Sequence, residues 1–449
     1  MKNLFSVLFV TLILISSSNG QIPGGGGHDN PDLKTNVSIM QQWQIGRFGM
    51  FVHWGPVSLR GTEIGWSRGR EVEEEEYDNL YKEFDPVLFD ADQWIKVVKD
   101  AGMKYFVITA RHHDGFCLWD SKFTDYDIGS TPYKKDVISQ LREACEKQDI
   151  QFGLYYSICD WWHKDYPLGS PGGRKEKKEH DMPAFFEYMK DQTAELISNY
   201  DPEIIWLDGA WENPWTHEMG MEFYKHLRDQ KNDLIINDRV DKGRRKMYDN
   251  MVLNGFAGDF ETPEQHVGSF NRFFPWETCM TICGQWAWKA NDRMKSKKEC
   301  IQTLVKTAGG NGNLLFNVGP MPDGRIEQRQ IDRLKEMGNW LKINGESIYG
   351  TKGGPYMPSG EIYSTCKNNK IYLHILNSPS PIYTSITLPP LPGKKITGCH
   401  SMKGEKLDCK IDKEGVTIQL PNTINDEIDT IIVIELNGSA EDIISIEIN

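Results

Sequence analysis

Short apolar runs alternate with amphipathic stretches along residues 47–344. The apolar runs are RFGMFVHW (47–54), KYFVITARHH (104–113), IQFGLYYS (150–157), EIIWLDG (203–209), LIINDR (234–239) and GNLLFNVGP (312–320), with weaker ones at 256–264 and 277–284. Helical periodicity fills several intervals, at 91–101, 137–147, 184–199, 297–308 and 327–343. Strands interleaved with helices in this way predict an α/β fold, a (β/α)₈ barrel. The link between the sixth and seventh strands has no helical pattern, so we expect the barrel to be irregular there.

The pattern changes after residue 349 to short β runs separated by Gly, Pro and Asn turns. The runs are EIYSTC, KIYLHIL, SITLPPL, GVTIQL and TIIVIEL, and no helix of normal length is predicted among them. Short strands with frequent turns are typical of an all-β sandwich. We therefore predict a catalytic barrel at residues 41–348 and a C-terminal β-sandwich at residues 349–449.

The first twenty residues have the layout of an export signal. Lys2 precedes an apolar stretch from Leu4 to Ile15, and SSSNG then ends in small residues. About 12 apolar residues are short of the roughly 20 that span a membrane. We predict a signal peptide at 1–20, a linker at 21–40, and a secreted or periplasmic protein without a lipid-anchor cysteine or membrane attachment once the signal is removed.

Composition narrows the class of partner. The 449 residues carry a net charge of −13 and no stripe of Lys and Arg, so a nucleic-acid partner is not expected. Fourteen tryptophans are a rich supply of aromatic surface, which suits an amphipathic ligand.

Polar side chains stand at the carboxyl ends of almost every predicted strand. In a (β/α)₈ barrel these ends meet on one rim, where active sites lie. In chain order the rim receives His53, Trp54, His112, His113, Asp114, Tyr155, Tyr156, Asp208, Asp238, Arg239, Glu261, Glu264 and Asn317. Asp208 follows an apolar strand between two tryptophans, where a carboxylate is costly unless it has a function. We therefore predict one site on this rim.

The residue types at this rim favour carbohydrate chemistry. Histidine, tyrosine and arginine side chains match sugar hydroxyls, and indole rings match the apolar faces of a sugar. The sequence contains no serine nucleophile elbow or phosphate loop, whereas two carboxyl groups suffice to cleave a glycosidic bond. Two other classes stay open: a metal-dependent hydrolase that uses His112, His113 and Asp114, and a glycan-binding protein without activity.

Seven stretches together resemble the family 29 glycoside hydrolases, the retaining α-L-fucosidases. They are RFGMFVHWG, RHHDGFCLWDS, FGLYYS, IIWLDG, NDR, DFETPE and GNLLFNVGPMPDGRI, in the family's order between about residues 41 and 351. The resemblance implies a barrel followed by a β-sandwich. It also implies an exo-acting enzyme that removes terminal α-L-fucosyl residues from fucosylated oligosaccharides or glycoconjugates by double displacement, without a metal or a cofactor.

The resemblance also implies roles for individual residues. Asp208 of WLDG is the expected nucleophile and Glu264 of DFETPE the expected acid/base, with Glu261 and Glu277 as alternatives. The expected sugar contacts are His53, Trp54, Trp66, His112, His113, Tyr155 and Arg239.

The loop after the first strand departs from the family pattern. Many relatives carry a Glu-Trp pair there, and this chain has GTEIGWSRG, in which Trp66 matches and Gly65 replaces the glutamate. Glu63 is the substitute that we consider. Trp286 and Trp288 are candidates for the wall around the C5 methyl group of fucose, with core packing as the alternative. An exo-glycosidase for a related sugar, a galactoside, is the closest alternative function.

Overall fold

The barrel is an open, curled parallel sheet of seven strands. The structure is a computed structural model that describes residues 33, 35–170, 175–242, 257–376, 385–412 and 415–448. The strands are β1 (Phe48–Val52), β2 (Tyr105–Arg111), β3 (Gln151–Ser157), β4 (Ile204–Asp208), β5 (Ile235–Ile236), β6 (Glu277–Thr281) and β7 (Asn313–Val318). They pair in the order β5-β4-β3-β2-β1-β7-β6, all in parallel.

Helices pack around this sheet, and those that begin at residues 91, 137, 182, 297 and 328 lie close to the helices that the periodicity predicts. The helices that begin at residues 37, 74 and 217 were not predicted. In chain order the helices are α1 (Val37–Gly46), α2 (Glu74–Asn79), α3 (Ala91–Asp100), α4 (Val137–Gln148), α5 (Met182–Tyr200), α6 (His217–Gln230), α7 (Lys297–Gly309) and α8 (Gln328–Asn344). Side-chain caps fix several starts: Asp90 accepts from the backbone N–H of Gln93. Ser296 and Glu299 form a reciprocal capping box at α7. Such caps satisfy backbone donors that have no partner inside the helix.

The predicted sixth strand is replaced by a bridging segment. Residues 257–264 form single parallel bridges instead of a strand, pairing Asn237 with Phe260, Glu261 with Trp276, and Glu264 with Cys279. The segment therefore spans the gap between β5 and β6. Between residues 265 and 276 the structure contains no helix, as the sequence pattern predicts.

Alternate residues of the strands face two different cores. One set, including Phe51, Tyr105, Tyr155 and Trp206, packs inside the barrel. The other set, which includes Val52, Phe106 and Leu207, packs against the helices. This period of two explains why both faces of each strand are apolar, and why a residue two positions before a rim residue lies directly beneath it.

Two antiparallel sheets form the C-terminal β-sandwich. The larger has the order β12-β15-β10-β9-β8 and the smaller β11-β14-β13. Their strands are β8 (Lys352–Gly353), β9 (Ile362–Lys367), β10 (Lys370–Leu376), β11 (Ser385–Leu388), β12 (Ile396–Ser401), β13 (Cys409–Ile411), β14 (Val416–Gln419) and β15 (Asp429–Leu436). A buried apolar cluster fills the space between them. The predicted architecture of a barrel followed by a β-sandwich is confirmed.

The predicted signal peptide at 1–20 and most of the predicted linker lie outside the described residues. Within the described ranges, no helix has the length and apolar character needed to cross a membrane.

Candidate active site

A pocket opens at the carboxyl ends of the barrel strands. Its empty volume is about 390 Å³, with the open mouth included. The lining residues are Phe51, His53, Trp66, His112, His113, Tyr155, Trp206, Asp208, Trp211, Arg239, Glu264, Cys279 and Trp286. The pocket therefore collects carboxylates, neutral polar groups and aromatic rings in a space suited to one small ring.

Asp208 ends β4 at the base of this pocket and is 8% exposed. Arg239 Nη1 donates to its Oδ1 over 2.9 Å, and the Tyr155 hydroxyl donates to its Oδ2 over 3.1 Å. His113 Nε2 lies 3.6 Å from the same Oδ2. Because an arginine and a hydroxyl both donate to it, the site stabilises Asp208 as a carboxylate that is oriented by two contacts.

Glu264 shares a nitrogen with Asp208. Arg239 Nη1 lies 2.9 Å from Asp208 Oδ1 and 3.0 Å from Glu264 Oε2. The distance between Asp208 Oδ1 and Glu264 Oε2 therefore cannot exceed the sum of these two contact distances. Burial alone would lower the pKa of Arg239, but the charges of Asp208 and Glu264 raise it well above its usual value. Arg239 is thus a permanent cation in contact with both carboxyl groups.

The two carboxylates differ in exposure. The side chain of Glu264 is 42% exposed, whereas that of Asp208 is 11% exposed. Asp208 is thus fixed within the pocket, and Glu264 lies at its mouth, where it is accessible to solvent. A buried carboxyl group beside a solvent-accessible one matches the separate requirements of nucleophilic attack and of water activation.

Three neutral histidines line the side of the pocket. β2 ends at Arg111, so His112 and His113 follow the strand and both line the pocket instead of alternating between faces. Burial lowers the pKa of His53 to about 3 and of His113 to about 4, and the pKa of His112 well below its usual value. At neutral pH these rings are therefore uncharged hydrogen-bonding groups.

The hydrogen bonds of His53 fix its tautomer. Asn317 Nδ2 donates to the backbone carbonyl of Trp286 over 2.7 Å, which orients the amide so that its Oδ1 faces His53 Nδ1 at 2.7 Å. An amide oxygen only accepts, so Nδ1 of the neutral ring carries the proton. His53 Nε2 is consequently an acceptor.

Aromatic rings form one wall of the pocket. The Phe51 ring lies 5.1 Å from Trp206, 5.9 Å from Tyr155 and 6.0 Å from Trp286, measured between ring centroids. Trp286 also lies 4.7 Å from the His53 ring. Such a wall offers an apolar niche beside the polar groups.

Two predicted sugar contacts lie elsewhere. Trp54 is 1% exposed and packs against Phe84, Phe89 and Trp94 at centroid distances of 5.2, 5.5 and 5.1 Å. It directly follows His53, so it points to the helix layer and not into the barrel. Trp288 does not line the pocket, and its indole nitrogen is buried. The expectation of a sugar contact at Trp54 is corrected to core packing, and Trp288, which is half-buried, lies outside the pocket lining.

Glu63 also lies outside the pocket lining and binds the main chain of a distant loop. Its Oε2 accepts from the Trp286 N–H over 2.9 Å, and its Oε1 accepts from the Ala287 N–H over 3.0 Å and the Ile64 N–H over 3.1 Å. Three backbone contacts leave little of this carboxylate for a sugar hydroxyl. Glu63 therefore fixes the loop that carries Trp286, and the expected direct contact is corrected.

The alternative acid/base residues do not line the pocket. The Glu261 backbone pairs with the segment before β6, accepting from the Glu277 N–H over 2.7 Å. The Glu277 side chain is 1% exposed within the barrel. Of the three candidates, only Glu264 lines the pocket together with Asp208.

The metal-site alternative involves Asp114, whose carboxylate faces away from the two neighbouring histidines. Its Oδ2 accepts from the Tyr77 hydroxyl over 2.6 Å. Throughout the described ranges no group of three His, Cys, Asp or Glu side chains is arranged to hold a metal ion.

The lining also includes the two tryptophans that flank Asp208 in the sequence, Trp206 and Trp211. Two further lining residues, Phe51 and Cys279, were not predicted. Phe51 lies two positions before His53, a strand spacing that would have identified it, whereas Cys279 lies in a weakly apolar strand and has no comparable signal.

Comparisons with known proteins agree with this site. Residues 28–346 match the sequence profile of the family described as Alpha-L-fucosidase. The chain is 30% identical over 418 residues to the tissue alpha-L-fucosidase of Mus musculus, covering 84% of this chain and 86% of that protein.

Solved structures give the same result. Alpha-L-fucosidase isoenzyme 1 from Paenibacillus thiaminolyticus superposes with a TM-score of 0.78 at 30% identity, covering 89% of this chain and 99% of that chain. A Bacteroides thetaiotaomicron alpha-L-fucosidase, trapped as a covalent intermediate with 2-fluoro-fucosyl fluoride, shares the fold with a TM-score of 0.79 at 24% identity, covering 93% and 100%.

Proposed function

Because the chain belongs to the alpha-L-fucosidase family, we propose that it hydrolyses terminal α-L-fucosyl residues of glycans with net retention at the anomeric carbon. The observation that carries this proposal is the pair formed by Asp208 and Glu264 on one nitrogen of Arg239. In retaining glycosidases the two carboxyl groups are about 5–5.5 Å apart, and in inverting enzymes about 6.5–9.5 Å. Because one nitrogen of Arg239 contacts both carboxyl groups, one oxygen of each lies close to the other, which supports the shorter, retaining spacing.

In the first step, Asp208 attacks the anomeric carbon and Glu264 donates a proton to the departing glycosidic oxygen. The C–O bond to the leaving group breaks as the ester bond to Asp208 forms. Glu264, now a carboxylate, then removes a proton from water, which attacks the anomeric carbon and releases Asp208. The exposure of Glu264 at the pocket mouth supports this role, since both the leaving group and the water must reach it.

Neutral polar groups of the pocket would bind the sugar hydroxyls. His53 offers an acceptor at Nε2, because its Nδ1 proton is held by Asn317. Burial together with the nearby Asp208 charge raises the pKa of the Tyr155 phenol well above its usual value, so this residue remains a donor. A mixture of donors and acceptors without net cationic charge suits a neutral polyol.

The aromatic wall would hold the methyl group that distinguishes fucose from galactose. A methyl group loses no hydrogen bond when it is buried against Phe51, Trp206 and Trp286, whereas a hydroxymethyl group must leave water without gaining a partner. The wall therefore favours fucosides over the corresponding galactosides. The small pocket volume supports an exo-acting enzyme that takes one terminal residue.

The test is turnover of an aryl α-L-fucoside by the wild type and by Asp208→Gly. We expect the variant to lose activity and to regain part of it with azide, which occupies the space of the missing carboxylate and yields β-fucosyl azide. Full activity of the variant without azide would overturn the assignment. Comparison of an aryl α-L-fucoside with an aryl β-D-galactoside tests the sugar preference.

We further propose that residues 1–20 direct export of the protein and are then removed, on the charge and apolar pattern of that stretch. N-terminal sequencing of the protein recovered from its native compartment tests this. A mature chain that retains Met1 would overturn it.

A further inference from the structure

A second carboxyl group, that of Glu277, lies in the barrel under the pocket. It belongs to the first residue of β6 and is 1% exposed. Its Oε1 accepts from Trp206 Nε1 over 3.0 Å, and its Oε2 lies 2.5 Å from the Tyr105 hydroxyl. Both partners come from other strands, β4 and β2. A fully buried carboxyl group is costly, and the double-displacement mechanism above makes no use of it.

Trp206 connects this carboxyl group to the reacting residues. Its indole lines the pocket, and the guanidinium carbon of Arg239 lies 4.7 Å from the centre of its ring. The same indole stacks on the Tyr155 ring at 5.6 Å with an interplanar angle of 19°. Arg239 and Tyr155 both donate to Asp208. Any rotation of Trp206 would therefore displace both donors.

We infer that Glu277 is a positioning residue that, through Trp206, holds Arg239 and Tyr155 in the geometry that orients Asp208. This role rests on the proposed function, because it concerns the orientation of the nucleophile. Glu277 does not contact the substrate.

The neutral acid fulfils this role without an unpaired group. Trp206 Nε1 donates to Oε1, and the Tyr105 hydroxyl donates to Oε2. A hydroxyl group can also accept a hydrogen bond, so the Tyr105 oxygen can take the O–H of the protonated acid. Burial raises the pKa of Glu277 to about 8, so the neutral form is present below that pH. Above it, ionisation places a negative charge under Trp206 that competes with Asp208 for Arg239.

The charged and titratable groups around Glu277 agree with one ionisation in this range. Tyr105 faces it from β2, and burial followed by the Glu277 charge raises the pKa of this phenol well above its usual value. Burial likewise raises the pKa of Cys279, two residues along β6. Arg239 is a permanent cation, and burial lowers the pKa of Arg47, which faces Tyr105, only to about 10. Below pH 9, Glu277 is therefore the member of this cluster that titrates.

The test compares Glu277→Gln with Glu277→Leu. Glutamine reproduces the neutral acid, because its amide oxygen can accept from Trp206 and its amide N–H can donate to Tyr105. Leucine fills a similar volume but leaves both partners buried without a hydrogen bond. The measurement is kcat/KM for α-L-fucosyl fluoride between pH 5 and 9.5, because fluoride departs without a general acid and proton transfer by Glu264 then does not limit the rate.

We expect the wild type to lose activity above about pH 8. Glu277→Gln should have the wild-type kcat/KM at pH 6 and should not lose activity above pH 8. We expect Glu277→Leu to fall by about tenfold or more at pH 6, mainly in kcat. The inference would be overturned if Glu277→Gln still lost activity at alkaline pH, or if both variants were equally impaired. It would also be overturned if Glu277→Leu had wild-type kinetics.

The matched control is Glu195→Leu. Glu195 is also buried and accepts from a tryptophan, Trp119 Nε1, over 2.9 Å, but neither residue lines the pocket. We expect this variant to lower the melting temperature without changing the pH profile. If wild-type protein does not release fucose at all, the proposed function fails. If the wild type releases fucose but the Glu277 variants do not behave as expected, only the positioning role fails.

Discussion

The main-chain N–H of Trp286 donates a hydrogen bond of 2.9 Å to Oε2 of Glu63. The contact joins residues that are 223 positions apart in the chain, on loops that follow different strands. The pocket wall is therefore held by a carboxylate that does not itself line the pocket.

Replacement of Glu63 by Ala should mimic loss of the Trp286 wall. Without the carboxylate, the N–H groups of Trp286 and Ala287 lose their partner and the loop is free to move. We expect Glu63→Ala and Trp286→Ala each to raise KM for an aryl α-L-fucoside. The loss of binding free energy in the double variant should be far smaller than the sum of the losses in the two single variants. Michaelis–Menten kinetics of the three variants check this. Strict additivity would contradict the coupling.

Glu264→Gln should impair substrates according to their leaving group. Natural glycosides and other poor leaving groups need the proton, so kcat/KM should fall about 10²–10⁴-fold for them, and far less for fucosyl fluoride. The matched control is Glu261→Gln, three residues earlier on the same segment and outside the pocket lining. A leaving-group dependence in the Glu261 variant, and none in the Glu264 variant, would reverse the assignment.

Trp54 should prove structural. Its indole is enclosed by aromatic rings and its Nε1 donates to the Met321 carbonyl over 3.0 Å. We expect Trp54→Ala to lower the free energy of unfolding by about 3–5 kcal/mol, with little change in KM of the folded enzyme. Denaturant unfolding and kinetics on the same sample separate the two effects. A large increase in KM at unchanged stability would restore Trp54 as a sugar contact.

Binding of a neutral ligand should not depend on histidine protonation near neutral pH. Because burial lowers the pKa of His53 to about 3 and of His113 to about 4, both rings stay neutral above pH 5 and charge only on further acidification. The histidines should therefore cause no change in the inhibition constant of L-fucose between pH 5 and 8. A transition near pH 6.5 that disappears on replacement of His113 would contradict this.

The rim residues that the sequence identifies are those at the ends of strong apolar strands. Asp208, Tyr155 and His113 each lie at or near the end of such a run, and the parallel order of the strands then brings them to one pocket. The segment near Glu264 has no regular strand, because it pairs only through single bridges. Its approach to Arg239 depends on tertiary contacts that local sequence patterns do not contain.

Strand periodicity and family resemblance do not determine where every predicted contact residue lies, and two of these residues lie outside the pocket. Trp54 is next to a pocket residue in sequence and faces the opposite side, as the period of two requires. Glu63 lies on a loop whose course depends on its backbone partners 223 and 224 residues away. Neither position could be settled by residue type alone.

Covalent labelling of the nucleophile tests the central claim most directly. A 2-deoxy-2-fluoro-α-L-fucosyl fluoride should inactivate the enzyme with time by forming a slowly hydrolysed ester, because the fluorine destabilises both transition states while fluoride still departs. Peptide mass spectrometry of the inactivated protein should find the added 2-fluorofucosyl mass on Asp208. A label on another carboxylate would contradict the account. So would turnover of the reagent with neither inactivation nor labelling of the enzyme.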